Sequence, residues 1–278
     1  MLRCRKLLKL LLLSWCFSTT IFAEEINVTP IENWEFGLAA GIGGITNPLK
    51  DADDIFLPVI PQVSYYGDRF FLENTDLGFS LIENEKFNVN LYGRFNEDKR
   101  YFPNADTTDI VFTSLGWKLD PTIKVGHTAE IKLKSRHLTY LAGLQFHYHH
   151  QNYHGKLSLL TDISNVHHGE EAEFSFGKTW QQDDWLLDLG FGLLWKSQQI
   201  VDYYYGLKPV EVSDKRDEYY PDASLTPYLK LVYQYAISEK VKFITSVKID
   251  KMDSERYRSP LVNDRYINSF FMGFAYDF

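Results

Sequence analysis

Long apolar runs, cysteine and an excess of positive charge are missing from most of this 278-residue chain. After residue 23 no stretch approaches the roughly 18 to 20 consecutive apolar residues that a membrane-spanning helix needs, which excludes a helical membrane protein. The chain has 37 acidic and 29 basic residues, so it lacks the surplus of positive charge that binding to nucleic-acid phosphates requires. What remains is one domain of about 250 residues, a size common among large all-β barrels.

Cysteine occurs only at Cys4 and Cys16, within a segment that has the features of a secretory signal peptide. This segment has a basic start, a short apolar block and the small residue Ala23 before the acidic residues that follow. Its apolar block is too short for a membrane anchor, the alternative interpretation. We therefore predict a cleaved signal peptide over 1–23 and a mature domain over 24–278, which has no cysteine and a net charge of -12.

Apolar and polar residues alternate along the mature chain with a period of two. The pattern is clearest over 87–96 and 185–196, where one face would be apolar and the other polar or charged. This period is typical of β-strands and differs from helical spacing. It predicts strands at 34–44, 57–66, 69–82, 87–96, 122–134, 138–148, 154–164, 170–180, 185–196, 224–235, 241–250 and 268–278.

Aromatic residues indicate which kind of β-protein this is. They make up 16% of the chain and often stand at the ends of the apolar stripes, as Tyr148, Trp185 and Trp195 do. Stripes of about ten residues that end in aromatic residues are typical of outer-membrane barrels. We therefore predict an all-β fold, a transmembrane antiparallel β-barrel in the outer membrane, in contact with outer-membrane lipid and lipopolysaccharide. A secreted β-sandwich is the alternative.

The last strand carries a second signal for a barrel. Apolar or aromatic residues occupy every second place and the chain ends on phenylalanine, an arrangement that resembles the strand recognised by the barrel assembly machinery. The residues of this predicted assembly signal are Phe270, Met272, Phe274, Tyr276 and Phe278.

The predicted barrel has about twelve strands, with ten or fourteen as alternatives, because bacterial single-chain barrels have even numbers. Counting back from a periplasmic C-terminus makes 197–223 and 251–267 extracellular loops. The same count puts 97–121 on the periplasmic side, where it is unusually long for a turn. Either the strand count is wrong there or the segment has a function. For the second case we predict a partner-binding segment, with Lys99, Arg100, Tyr101 and Phe102 as candidate contact residues.

Histidine is confined to the region between 127 and 168. His147 and His149 share the polar parity of their strand, so both are expected to point into the lumen, where clustered imidazoles bind zinc or copper. No carboxylate or thiol completes a recognised ligand spacing. The sequence thus predicts no metal site and no cofactor, and leaves these two residues as the metal candidates.

Catalytic patterns are weak. Ser158, Asp162, Ser164 and His167 are close together in sequence, but no glycine-flanked serine motif accompanies them. An acidic loop with Asp51, Asp53 and Asp54 lacks the glycine and glutamate of a calcium-binding loop. Gly41, Gly43 and Gly44 lie inside a predicted strand with no helix or lysine after them, which excludes a nucleotide-binding loop. We predict no catalytic residues.

Several short segments, in order along the chain, together resemble the MipA/OmpV family of MltA-interacting outer-membrane proteins. They are Trp34-Glu-Phe-Gly37, Pro61-Gln-Val-Ser-Tyr-Tyr-Gly67-Asp-Arg-Phe-Phe71, Asp162-Ile-Ser-Asn-Val-His-His-Gly169, Asp202-Tyr-Tyr-Tyr-Gly206-Leu207, Ser259-Pro-Leu-Val262 and the closing Phe278. The resemblance implies a non-enzymatic barrel that acts as a scaffold for a murein lytic transglycosylase and a peptidoglycan synthase. It brings no catalytic residues.

Two classes of function stay open at this point. The first is a scaffold whose periplasmic face binds murein-processing enzymes. The second is a small-solute pore or a surface-exposed adhesin or antigen, because a twelve-stranded lumen is either open or filled by side chains and loops.

Overall fold

The computed structural model describes residues 33–102 and 133–278, which form a closed antiparallel β-barrel. The short strand β2 and the longer β3 lie end to end against β1, so the wall has twelve strands. The strands are β1 (Asn33–Ile45), β2 (Ile55–Phe56), β3 (Val59–Tyr66), β4 (Phe70–Glu73), β5 (Asp76–Glu83), β6 (Phe87–Phe95), β7 (Tyr140–His150), β8 (Tyr153–Asp162), β9 (Glu170–Gln182), β10 (Trp185–Lys196), β11 (Ser224–Ala236), β12 (Val241–Lys251) and β13 (Tyr266–Asp277).

Each wall strand pairs with the strands before and after it, and β13 returns to β1. This closing ladder runs from Gly37 opposite Asp277 to Ile45 opposite Ser269. Closure gives the backbone groups of the first and last strands a partner inside the chain, as a lipid environment demands. The predicted antiparallel barrel of twelve strands is confirmed.

The alternation of the sequence places apolar side chains on the outside of the wall. On β13, Phe270 and Phe274 are 39% and 56% exposed, whereas Phe271 and Ala275 are buried against the interior. An outer surface of this kind is stable only in an apolar solvent such as the core of a bilayer. The five residues of the predicted assembly signal all expose their side chains.

The two ends of the barrel differ. The turn end carries the short turns after β3, β5, β7, β9 and β11, together with the start of β1 and the C-terminal Phe278. The loop end carries the longer connections 46–54, 163–169, 197–223 and 252–265 and the described segments 96–102 and 133–139. In outer-membrane barrels short turns face the periplasm and longer loops face outward, so the turn end corresponds to the periplasmic side.

Four short helical segments lie in the described part of the loops. They are the 3₁₀ segments Glu97–Tyr101 and Lys215–Asp217 and the α-helices α1 (Gln198–Tyr205) and α2 (Ser254–Tyr257). Across 33–102 and 133–278 no helix has the length and apolarity needed to cross a bilayer.

Two predicted strands differ from the structure. The predicted strand 69–82 is two strands, β4 and β5, because the chain reverses at Asn74, which adopts a positive φ of 54°. The predicted strand 122–134 lies mostly outside the described residues, and β6 pairs directly with β7, so the wall closes without it. These two errors cancel in the strand count.

The same errors misplaced the segment after β6. Because β4 and β5 form a hairpin, β6 runs towards the loop end, and Glu97–Tyr101 lies at the end opposite the C-terminus. The prediction that this segment emerges on the same side as the C-terminus is wrong for its described part. Residues 103–121 and the predicted signal peptide over 1–23 lie outside the described residues.

Candidate functional site

The loop end carries a plug, which we define as the cluster of buried side chains from the loops and strand ends there. Helix α1 contributes Ile200, Val201, Tyr204 and Tyr205, all 0% exposed. Their spacing puts them on one face of a helix, so this short segment folds by packing that face inward. The other members of the buried cluster are Ile45, Leu49, Ile55, Leu57, Tyr101, Phe102, Leu207, Met252, Leu261, Val262 and Ile267.

Ion pairs between buried side chains attach the plug to the barrel wall. Asp98, from the 3₁₀ segment, accepts hydrogen bonds from Lys196 at the end of β10, from Arg256 of α2 at 2.9 Å and from Tyr205 of α1 at 2.9 Å. Burial alone would raise the pKa of the Asp98 carboxyl, but Lys196 and Arg256 outweigh it and lower that pKa to about 2. Asp98 therefore stays ionised at neutral pH and joins three separate elements.

Below the plug, a second group of charges crosses the lumen. Arg94 of β6 pairs with Glu171 at 2.5 Å and with Glu173 at 3.3 Å, both on β9. Glu173 also accepts hydrogen bonds from Lys156 at 3.1 Å and from the hydroxyl of Tyr228 at 2.6 Å. These side chains come from four strands and meet inside the barrel, so the polar faces of the strands form a connected network.

A third ion pair attaches the segment before β7 to the loop after α1. Arg136 donates to the carboxylate of Glu211 at 2.8 Å and to the carbonyl of Gly206 at 3.0 Å. Burial would raise the pKa of Glu211, but hydrogen bonds from Arg136 and from the backbone N–H groups of Lys134 and Lys208 hold it below its usual value. This pair fixes the outer surface of the plug.

Three of the four predicted partner-binding residues are buried in or beside the plug. Lys99, Tyr101 and Phe102 are 1%, 6% and 0% exposed, and Lys99 donates to the carbonyl of Phe102 at 2.9 Å. Arg100 pairs with Glu97 at 2.9 Å. Basic and aromatic residues in a long connection suggested a docking surface, but here these residues pack the loop end.

His147 and His149 lie on the lumen face of β7, as predicted. Their rings stack with centroids 6.3 Å apart, and the Nε2 atom of His147 hydrogen bonds to Gln145 at 2.6 Å. No group of three or more metal-ligating side chains with suitable geometry occurs within the described residues. Asp54, from the acidic loop considered for calcium, instead accepts a hydrogen bond from the backbone N–H of Asn47 at 2.9 Å.

The Ser, Asp and His residues near 160 form a turn rather than a catalytic triad. Asp162 accepts hydrogen bonds from the hydroxyl of Ser164 at 2.5 Å and from the backbone N–H of His167 at 2.8 Å. Ser158 lies in the lumen, where its hydroxyl accepts from Gln145 at 3.3 Å. The Ser164 hydroxyl thus donates to an acid and not to an imidazole, which is not the order that activates a serine nucleophile.

Sequence reasoning missed the plug and the lumen network. The spacing of apolar residues in α1 was the available signal for the plug. Charges on the polar faces of β6, β8 and β9 were the signal for the network, but the sequence does not say which of them meet across the lumen.

Solved outer-membrane channels align with most of this chain at low sequence identity. An outer-membrane channel of Pseudomonas putida is 5% identical, with a TM-score of 0.40 over 90% of this chain and 97% of that chain. A monoaromatic hydrocarbon channel is 12% identical, with a TM-score of 0.38 over 89% of this chain and 88% of that chain.

Two relatives from Escherichia coli align with most of this chain. YiaT, whose name describes it as an outer-membrane protein, is 25% identical over 88% of this chain and 91% of its own length. The MltA-interacting protein is 24% identical over 88% of this chain and 90% of its own length. A family model described as MltA-interacting protein MipA matches residues 36–278. This barrel, with its apolar outer face, is therefore an outer-membrane protein and belongs to the MltA-interacting protein MipA family.

Proposed function

We propose that this protein is a non-enzymatic scaffold that binds murein-processing enzymes, a lytic transglycosylase and a peptidoglycan synthase, at the periplasmic face of the outer membrane. The observation that carries the proposal is the similarity to the MltA-interacting protein along 247 residues, 88% of this chain. A family named for an interaction favours a binding role over catalysis.

The turn end is the surface that faces the periplasm and so the peptidoglycan. Its exposed turns are acidic, with five carboxylates against three cations in the described residues. The carboxylates are Asp68, Glu85, Asp183, Asp184 and Glu239, and the cations are Arg69, Lys86 and Lys240. A partner with a basic contact surface fits this end best, because complementary charge speeds association and fixes orientation. We place the partner contact here in preference to Lys99, Arg100, Tyr101 and Phe102.

The plug argues against the alternative of a general diffusion pore. A buried apolar cluster held by Asp98, Lys196 and Arg256 lies across the loop end of the lumen. We expect the purified protein in planar bilayers to show little steady conductance. A stable open channel with the plug intact would contradict the pure scaffold and favour the pore.

Capture of a purified lytic transglycosylase by the full barrel in detergent tests the scaffold directly. We expect wild-type capture to weaken by about tenfold when Asp183→Lys and Asp184→Lys reverse the charge of one turn. The matched control is Asp53→Lys with Asp222→Lys, which reverses two exposed carboxylates at the loop end. Absence of capture by the wild-type protein would overturn the scaffold, and equal loss in both variants would overturn the assignment to the turn end.

A further inference from the structure

The barrel wall has a gap on one side, towards the loop end. It arises because β4 has only four residues and the β4–β5 hairpin turns back at Asn74. The neighbouring strands β3 and β6 extend further towards the loop end. The backbone N–H of Asn74 donates to the carbonyl of Val63 at 2.7 Å, the upper limit of pairing with β3. On the other side β6 pairs with β5 only as far as Gly93.

Two strand edges therefore border the gap. Above the hairpin, residues 59–62 of β3 and Arg94–Phe95 of β6 have no ladder partner on the gap side among the described residues. Exposed sheet edges are costly inside a membrane because each unpaired backbone group lacks a partner. Pro61 lowers this cost for one edge, since proline has no N–H to leave unpaired. The gap is thus a distinct feature of the wall.

A cavity of about 430 Å³ lies at the gap. Among its lining residues, Val59 and Phe95 occupy outward-facing positions of their strands, whereas Ile60 and Arg94 occupy lumen-facing positions. Val59 is 38% exposed on the outside, whereas Arg94 contacts Glu171 inside the barrel. Residues of both faces of the wall therefore border one cavity, which is the observation that points to a side opening.

The charged residues around this cavity already have partners. Glu73 accepts from the hydroxyl of Tyr66 at 2.6 Å, and Asp76 accepts from the hydroxyl of Tyr92. Glu97 pairs with Arg100 at 2.9 Å, as Arg94 does with Glu171. An ionic ligand would have to displace one of these partners, so the cavity favours an uncharged molecule with some capacity for hydrogen bonds.

We propose that the gap is a side opening that binds a small, uncharged, amphipathic molecule entering from the bilayer. Its volume is in the range of about 300 to 1,000 Å³ that small-molecule sites usually have. Val59, Pro61 and Phe95 form its outer rim, on the face that lipid covers in a membrane, and Ile60 and Arg94 border it on the lumen side. Such an opening would give the molecule a route from the bilayer towards the lumen. This proposal does not depend on the scaffold function.

Photolabelling in phosphatidylcholine vesicles tests the proposal with the full barrel. The probe is 3-azioctanol, an uncharged photoreactive alcohol, and labelled residues are mapped by mass spectrometry. We expect labelling at 59–61 and 94–96 to exceed labelling at Phe191 and Leu229, lipid-facing residues on fully paired strands, by about tenfold. Uniform labelling over the outer face would reflect partition into lipid and would overturn the site.

Val59→Trp places an indole at the outer rim and is expected to reduce labelling of the opening by about tenfold. Val247→Trp is the matched control, because Val247 pairs with Phe270 on the lipid-facing side of a complete ladder; it should leave labelling unchanged. Heat-modifiable gel mobility verifies that each variant is folded. If Val59→Trp does not fold, Ile60→Phe narrows the opening from the lumen side. Unchanged labelling in a folded variant of either kind would overturn the proposal.

Discussion

Asp98 and Arg256 are 158 residues apart in the sequence, yet the Nη2 atom of Arg256 lies 2.9 Å from the Oδ1 atom of Asp98. This contact connects the segment after β6 to the loop before β13. Lys196, at the end of β10, donates to the other carboxylate oxygen. One carboxylate therefore joins three connections of the loop end, and the plug depends on it.

Replacing this carboxylate should loosen the plug. Asp98→Asn keeps the shape of the side chain but leaves Lys196 and Arg256 with less neutralising charge, and loss of one partner of a buried pair typically costs about 3 to 5 kcal/mol. We expect a lower midpoint of guanidinium unfolding, followed by tryptophan fluorescence. Asp214→Asn, which removes an ion pair with Arg216 at the surface, should leave the midpoint unchanged. Equal midpoints for Asp98→Asn and wild type would show that the ion pairs are dispensable.

Low pH should also loosen the plug, because it protonates the carboxylate of Asp98. The pKa of Asp98 is about 2 in the folded protein, below its ordinary value of 3.8, so its charge stabilises the plug at pH values above about 4. That contribution is lost as the pH falls from about 4 to about 2. We expect hydrogen exchange in α1, corrected for the intrinsic rate, to accelerate over this range relative to β10. Asp98→Asn should show no such step, and a step that persists in this variant would assign it to another group.

Zinc binding tests the two histidines that the sequence singled out. His147 and His149 supply two imidazoles, whereas protein zinc sites use three or four ligands. We expect no calorimetric titration signal for zinc at micromolar concentrations. A saturable signal that disappears in His147→Ala, but not in His137→Ala, would contradict this expectation.

The wall of the barrel was predictable because lipid outside and polar side chains inside impose a strict period of two. The stripe that ends at Phe278 and the one between Trp185 and Trp195 were recognised with little error in their bounds. The β4–β5 hairpin was missed because the apolar pattern continues on both sides of Asn74. That residue and Thr75 form a turn without the glycine that usually marks a two-residue hairpin.

The plug was less predictable for a different physical reason. Tyr204 and Tyr205 are buried by contacts with Phe102 and other distant residues, and no local pattern states which loops meet. A buried ion such as Asp98 looks in the sequence like any charge in a solvated loop. The side gap could not be predicted from the sequence, because it exists only where the β4–β5 hairpin ends before its neighbours β3 and β6.

The closing seam offers the most stringent test of the barrel itself. Gly41 of β1 lies opposite Gly273 of β13, and a Cβ atom built on Gly273 would lie 2.3 Å from the carbonyl oxygen of Ala40. No side chain fits there unless the first and last strands move apart. We therefore expect the added methyl group to destabilise the ladder between β1 and β13 by about 1 to 3 kcal/mol. We expect Gly273→Ala to lower the folded fraction in heat-modifiable gel electrophoresis.

Gly190→Ala is the matched control for this seam. Gly190 also lies within a strand, but a Cβ atom there would come no closer than 3.5 Å to the carbonyl oxygen of Phe176, an ordinary contact. Both variants replace glycine by alanine within a strand, so the change in β-strand propensity is the same. The difference between their folded fractions therefore reports the close approach of β1 and β13. If both fold equally well, the seam tolerates a wider spacing than the structure has, and closure does not require glycine at 273.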